Sequence, residues 1–391
     1  MYLRRLKLIN FRNCREGTAE FSHGVTIIAG GNGAGKTSLL EAAQYSLCGY
    51  SFRASREQEM ISSGAPFLRL ETATEWGNAV LSRSVGLEAG APARVDAGGG
   101  PKWLPAGAVL CFSPDDLMLV KGAPALRRRF LDDAVTRRLP AYQRLVTDYQ
   151  KVLSQRNVFL QRARAGLVPL ADITPWDRQL ASLALQIYEA RGAHCRELLP
   201  WFADAWRGIA GRPAGVDIAY RSQLDGVFEA AEPEKELLCR LRDSWSSDLE
   251  RLSSGTGTHR DDVEFLLEGR SIRRFGSQGE QRTTVLALLL GERGLACENG
   301  SRPPLLLLDD VMSELDRERR RRLMAMLTGA GGPGDGFDEH GLSRPGQTII
   351  TAADVDLFST AEREEAAIFH IEEGLVTALG EGVSRRAGVH G

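Results

Sequence analysis

Apolar and basic positions alternate from Tyr2 to Ile9, with Leu6 and Leu8 on one side of the chain and Lys7 on the other. That period of two predicts a half-buried strand. Gly24 to Ala29, GVTIIA, is a β-branched run leading into glycines and predicts a second strand, whereas Ser38 to Leu47 has helical character. The first fifty residues therefore read as strand, turn, strand, glycine-rich loop and helix. Leu70 to Val85 alternates again and predicts further strands, followed by a small-residue loop from Gly86 to Gly100. From Pro124 to about Leu252 the large apolar residues recur at helical spacing, interrupted near Pro169, Pro175 and Pro213. Strands return at Val263 to Leu267 and at the apolar run Leu305 to Leu308. A glycine-rich stretch, Gly329 to Gly346, reads as an insertion before a last strand at Gln347 to Ile350.

These changes of pattern predict an α/β protein of two lobes. Residues 1–123 and 253–391 build a mixed sheet with helices, and residues 124–252 a mainly helical second lobe. The length, 391 residues, agrees with two cores better than with one. Hydrophobic residues at 43% and charged residues at 26% are ordinary for a globular protein with a sizeable core. Six cysteines stand singly with no CxxC pair, so the spacing suggests neither a disulfide framework nor a zinc site. No apolar run reaches membrane-spanning length and the basic start lacks a leader's apolar segment, so the expectation is a cytoplasmic chain with no membrane partner.

Net charge is only -2, but it is distributed unevenly. Between Lys121 and Ala165 eleven Lys or Arg face three Asp, a local excess of +8, and Met1 to Arg15 adds five basic residues and no acidic one. Arg127, Arg128, Arg129, Arg137, Arg138 and Lys151, with Arg144 and Arg156, fall on predicted helices and are the candidates for contact with DNA phosphates. A solvated face bridged to acidic helices is the alternative for any one of them.

The stretch GGNGAGKT, Gly30 to Thr37, fits GxxxxGK[ST] and lies between a predicted strand and a predicted helix. Backbone N–H groups at Gly30, Gly31, Asn32, Gly33, Ala34, Gly35 and Ser38 would wrap the phosphates of ATP. Lys36 would neutralise the outer phosphates, and Thr37 would offer a hydroxyl to Mg²⁺. Pro304 to Asp316, PLLLLDDVMSELD, supplies a strand apolar enough for a buried parallel sheet, ending in two carboxylates. Asp309 is the metal-side candidate, and Asp310 the group that orients or deprotonates the attacking water. A glycine-rich turn and a pair of capping aspartates would explain each segment alone; together they predict an NTPase.

A second bare helix start follows at FGSQGEQRTT. Ser277, Gly279 and Glu280 resemble the signature motif of ABC-type ATPases, which caps the γ-phosphate bound to a partner subunit, and Asp316 in SELD resembles the D-loop of the same contact. That pattern predicts a homodimer closed around two nucleotides. The competing reading is a capping box, because SxxE satisfies helix-end N–H groups without any ligand.

Over nearly its whole length the chain resembles the RecF family of bacterial recombination and repair ATPases of the ABC/SMC type. The resemblance is carried by LKLINFRN, GGNGAGKTSLLEA, SFR at Ser51 to Arg53, FSPDDL, GAPALRRRFLD, YQKVLSQRN, WDRQLA, GTHRDD and GSQGEQRT, in that order. It implies an ATPase head like that of SMC proteins without their coiled coil, an ATP-dependent dimer, DNA binding at single-strand gaps or double-stranded junctions, slow hydrolysis, and RecO and RecR as partners in loading recombinase. Three departures stand out. Asp310 replaces the usual Glu, no His follows the last strand so that Thr351 is the candidate stand-in, and FSPDDL lies where a glutamine loop is expected. Rival readings are a transporter's ATPase subunit, disfavoured by the basic lobe, a small-molecule kinase, and a scaffold that holds ATP for structure only.

Overall fold

The computed structural model describes residues 1–76, 79–98, 100–298, 303–329, 346–372 and 374–378. Most of the glycine-rich insertion, 330–345, lies outside them. Two units divide the chain: Met1–Leu117, Trp201–Pro213 and Gln278–Gly391 form the first, and Met118–Pro200 with Ala214–Ser277 the second. The sequence boundaries at 123 and 253 are therefore shifted, and residues 201–213 belong with the nucleotide motifs.

In the first unit an antiparallel sheet is ordered β2-β1-β4-β5-β6. Its strands are β1 (Tyr2–Phe11), β2 (Cys14–Glu20), β4 (Phe67–Trp76), β5 (Ala79–Glu88) and β6 (Arg94–Asp96). Strand β2, CREGTAE, is mostly polar and escapes a hydrophobic-pattern reading because its buried positions are the small residues Cys14, Gly17 and Ala19. The presumed loop from Gly86 to Gly100 contains the end of β5 and all of β6, which pair across it.

A second sheet, ordered β14-β13-β3-β12-β11-β7, comprises β3 (Val25–Ala29), β7 (Val109–Phe112), β11 (Leu305–Leu308), β12 (Thr348–Ala352), β13 (Ala367–Glu372) and β14 (Leu375–Ala378). All neighbours in it are parallel except β13 and β14. Strands β3, β11 and β12 are buried at every position, as a parallel sheet covered on both faces requires. Helix α1 (Lys36–Cys48) touches β1, β4 and β5 of one sheet and β7 and β12 of the other, and all its residues but Thr37 are buried. Having no solvent side, it has no polar stripe. Each fully buried leucine there, such as Leu40 and Leu47, contributes about 2 kcal/mol. Among the described residues the unit also holds α9 (Gln278–Ala296), α10 (Arg317–Thr328), α11 (Thr360–Glu365) and the last part of a longer helix, residues 201–210.

The second unit is mainly helical, with α2 (Met118–Lys121), α3 (Pro124–Arg138), α4 (Tyr142–Arg164), the first part of α5 (Thr174–Ala210), α6 (Pro233–Asp243), α7 (Trp245–Arg251) and α8 (Ile272–Phe275). It also holds an antiparallel sheet ordered β10-β9-β8, built from β8 (Val216–Arg221), β9 (Asp262–Leu267) and β10 (Arg270–Ser271). Its interior is tied by ion pairs. Arg156 is fully buried and donates to Asp177 at 2.7 Å and Asp248 at 2.7 Å. Arg191 grips Asp132 with two bonds of 2.9 Å and also reaches Asp261 at 3.2 Å. No described helix is long and apolar enough to cross a membrane.

Candidate functional site

Parallel pairing brings the carboxyl ends of β3, β11 and β12 to one edge of the sheet, the place where α/β sheets bind ligands. The glycine-rich loop leaves β3 there. Gly33 and Gly35 have φ of 81° and 111°, values that side-chain-bearing residues rarely adopt. A Cβ on Gly30 would fall 2.3 Å from the Ile371 carbonyl oxygen, so β13 demands a glycine as the loop begins. Lys36 Nζ donates to the Gly30 and Gly31 carbonyls at 2.7 and 3.0 Å. The Ala34 N–H reaches the Gly31 carbonyl at 3.2 Å, and the Ala34 carbonyl accepts from Gly374 at 3.0 Å.

Asn13 is a loop residue that sequence reasoning passed over. Its Nδ2 donates to the Gly33 carbonyl at 2.7 Å while its Oδ1 accepts the Ser38 hydroxyl at 2.9 Å, so one side chain spans the loop. Next to it, Arg12 forms a forked pair with buried Glu41 at 2.9 and 2.6 Å and donates to the Glu59 carbonyl. The only sequence signal for this pair was its presence in the stretch LKLINFRN.

Thr37 and Asp309, 272 residues apart, meet directly: the Thr37 hydroxyl lies 3.1 and 2.8 Å from the two carboxylate oxygens. Burial raises the pKa of Asp309, opposed by hydrogen bonds from Thr351 and Thr37. Asp310 adopts φ 48°, a left-handed conformation uncommon for a residue with a side chain. Two bonds hold it: its N–H donates to Thr351 Oγ1 at 2.9 Å, and its Oδ1 accepts the Ser313 hydroxyl at 2.6 Å. Thr351 is itself fully buried and donates to Asp309 Oδ1 at 2.7 Å. Its hydroxyl thus joins the two carboxylate residues, accepting from the Asp310 N–H and donating to Asp309. A cleft of about 690 Å³ gathers Asn32, Gly33, Gly35, Lys36, Thr37, Ser38, Asp309 and Asp310, and adds Arg12, Asn13 and Arg53.

FSPDDL follows β7. Asp116 in it accepts the Ser113 N–H at 2.6 Å and the Ser113 hydroxyl at 3.0 Å, closing a local turn.

Ser277, Gly279, Glu280 and Asp316 do not line that cleft among the described residues. Gly279, Glu280 and Asp316 form a second cluster in the same unit. Asp316 caps α10 by accepting the Arg319 N–H at 2.9 Å, and the Arg319 guanidinium packs over Gly279. Arg282 donates to the Glu314 carbonyl at 3.0 Å and Arg212 to Glu280 at 3.1 Å. The start of α9 and the DVMSELD turn are thereby fixed to one another.

The basic candidates separate sharply. Arg127 must be withdrawn from the DNA set: it is 3% exposed and forked onto Asp262 at 2.6 and 3.0 Å, with further bonds to the Leu119 and Gly122 carbonyls. Arg156 is withdrawn for the same reason. Arg128 is half-buried and donates to the Asp261 carbonyl at 2.7 Å. Arg138 pairs with Glu197 and Arg137 is half-buried. Arg129, with only a 3.9 Å contact to Asp133, and Lys151 are exposed.

Against solved structures, the chain superposes on an SMC head bound to the C-winged helix domain of ScpA with a TM-score of 0.58 at 14% identity, covering 98% of this chain and 99% of that one. A model of the AAA domain matches residues 5–75. Fold and site together define an ABC/SMC-type P-loop ATPase head. A fuller match is the recombination mediator protein RecF with ATP from the RecFOR pathway, with a TM-score of 0.78 and 28% identity over 97% of this chain and 98% of that one. The DNA replication and repair proteins RecF of Heliobacterium modesticaldum and of Lactobacillus delbrueckii subsp. bulgaricus are 33% and 34% identical, over 97% and 99% of this chain and 100% of each relative. This chain belongs to the RecF family.

Proposed function

We propose that the chain is an ATP-dependent DNA-binding protein of recombinational repair and replication-fork maintenance in the cytoplasm, with slow, DNA-dependent ATP hydrolysis. The observation that carries the nucleotide reading is the bond between Thr37 and Asp309, which unites two distant segments at the edge of one cleft. The loop from Gly30 to Ser38 would cradle the triphosphate, and Lys36 would exchange the Gly30 and Gly31 carbonyls for phosphate oxygens. Thr37 and Asp309 are hard oxygen donors of the kind that hold Mg²⁺ together with substrate phosphates, and the ion would supply charge neutralisation there. Asp310 orients the attacking water. Its carboxylate is one methylene shorter than the usual glutamate, and the Ser313 hydroxyl shares one of its oxygens, which is the physical basis expected for slow turnover.

Ser277, Gly279, Glu280 and Asp316 complete the site of a second copy in an ATP-dependent homodimer. Exposed Arg129 and Lys151, together with Arg138 and half-buried Arg128 and Arg137, offer charge to DNA at single-strand gaps or double-stranded junctions, and RecO and RecR are the expected partners in loading recombinase. Sedimentation with and without ATP tests this. The wild type should shift from monomer to dimer, Ser277→Arg should stay monomeric while binding ATP, and Asp310→Asn should give a long-lived ATP dimer. A lone subunit hydrolysing ATP at a rate independent of protein concentration would refute the reading.

A further inference from the structure

Immediately before the signature-like helix, α8 ends in Arg273, Arg274 and Phe275, all exposed. Phe275 is 72% exposed, more than any other aromatic side chain among the described residues. A single exposed apolar residue is unremarkable in itself. This one, however, is held on a fixed frame. Ile272, at the other end of α8, is 1% exposed, and the Gly276 N–H donates to its carbonyl at 3.0 Å. A Cβ on Gly276 would lie 2.6 Å from that carbonyl oxygen, so the chain passes there only as glycine. Gly276 is extended, which puts Ser277 within about 7 Å of Phe275 along the backbone.

The charges beside the ring are also unspent. Arg273 and Arg274 line a small cleft with Asp262 and Glu264, but Asp262 is gripped by Arg127 and Glu264 lies 3.7 Å from Arg221. Neither Arg273 nor Arg274 forms an ion pair among the described residues. Meanwhile the cleft around Lys36 and Thr37 is lined by no aromatic side chain among the described residues, so it offers phosphates a cradle and a purine no aromatic ring to stack on.

We propose that Phe275 stacks on the base of the ATP held by a second copy of this chain, with Arg273 and Arg274 beside its ribose and phosphates. The dimer then reads both ends of the nucleotide, the triphosphate within one subunit and the base across the interface. Stacking of a base on an aromatic ring contributes about 1–3 kcal/mol. This inference rests on the proposed dimer, and the experiment separates the two.

Sedimentation equilibrium of the full chain is run at saturating ATP and at saturating ribose 5′-triphosphate, which lacks the base. The wild type should dimerise about tenfold more tightly with ATP than with ribose 5′-triphosphate. Phe275→Ala should lose that preference, and Phe275→Trp should restore it. If Phe275→Ala dimerises with ATP like the wild type while Ser277→Arg does not, the base contact is overturned and the dimer stands. Failure of the wild type to dimerise with ATP would overturn both. Loss of DNA retention by Phe275→Ala without nucleotide, its ATP dimer unchanged, would also overturn the base contact and assign the ring to nucleic acid.

Discussion

The glycine-rich loop and the helices of the second unit both carry positive charge, and they differ in what that charge already touches. Beside the loop, Lys36 donates to two backbone carbonyls, contacts that an incoming phosphate can replace. In the second unit, Arg127, Arg156 and Arg191 are each engaged by aspartate carboxylates inside the fold. A buried guanidinium with matched carboxylates is a structural tie, because withdrawing one partner leaves a charge stranded in low dielectric. The lesson is that an arginine's availability is decided by the carboxylates folded against it, which a count along the chain does not show.

The sharpest way to break the comparison is Lys36→Met. It should weaken ATP binding about 100-fold, as expected for loss of charge-assisted bonds to phosphate, while leaving the unfolding midpoint almost unchanged. Calorimetric titration and urea unfolding read the two quantities. In the second unit the outcome reverses. Arg156→Met should cost about 3–5 kcal/mol of stability by stranding Asp177 and Asp248, with ATP affinity in the surviving folded fraction unaltered. A variant as stable as the wild type would show that these pairs are dispensable.

Histidine 259 sharpens the same point through pH. His259 Nε2 faces the Ser254 carbonyl at 2.9 Å and therefore donates, leaving Nδ1 to accept from the Tyr149 hydroxyl at 2.8 Å. Burial pushes its pKa down to about 4. The unfolded chain then takes up a proton near pH 6.5 while the folded one refuses it until about pH 4, so stability is full above pH 6.5 and is lost as pH falls through that window. The loss is about 3 kcal/mol. Asp261, raised to about 6 chiefly by burial, acts in the opposite direction and offsets part of it. Unfolding of His259→Gln between pH 7 and 4 should show a flatter decline than the wild type.

The smallest effect belongs to the exposed residues. Arg129→Glu and Lys151→Glu should each weaken DNA retention several-fold and lower the salt dependence by about one unit of slope, with no change in thermal midpoint. The same readout for Arg127→Glu should instead report loss of fold.

Sequence alone made the glycine loop, the leucine strand and the Asp309–Asp310 pair legible because each obeys a local rule: left-handed glycines, an apolar run too long for a wet face, carboxylates at its end. It even implied the meeting of Thr37 with Asp309 across 272 residues. Asn13 escaped because one asparagine in a strand–turn segment has no periodicity to betray it. Arg127 and Arg156 were misjudged because their neutralising partners, Asp262, Asp177 and Asp248, are dispersed along the chain and only the fold assembles them. GAPALRRRFLD, YQKVLSQRN, WDRQLA and GTHRDD, which carry the family resemblance, supply Arg127, Arg156, Asp177 and Asp262 and so turn out to include the internal ties of the second unit. The limit of the compact units at Pro200 leaves no trace in the sequence because it falls inside one continuous helix, α5, where composition does not change.

The pairing of β3 with β12 and β13 has a consequence for biosynthesis. Val25 to Ala29 emerge from the ribosome early, yet their sheet neighbours begin at Thr348 and Ala367. At ordinary elongation rates the strand that precedes the glycine loop waits roughly tens of seconds for a neighbour. Throughout that interval an apolar edge is open to mispairing, so the nascent chain should depend on chaperone protection until its last strands are made.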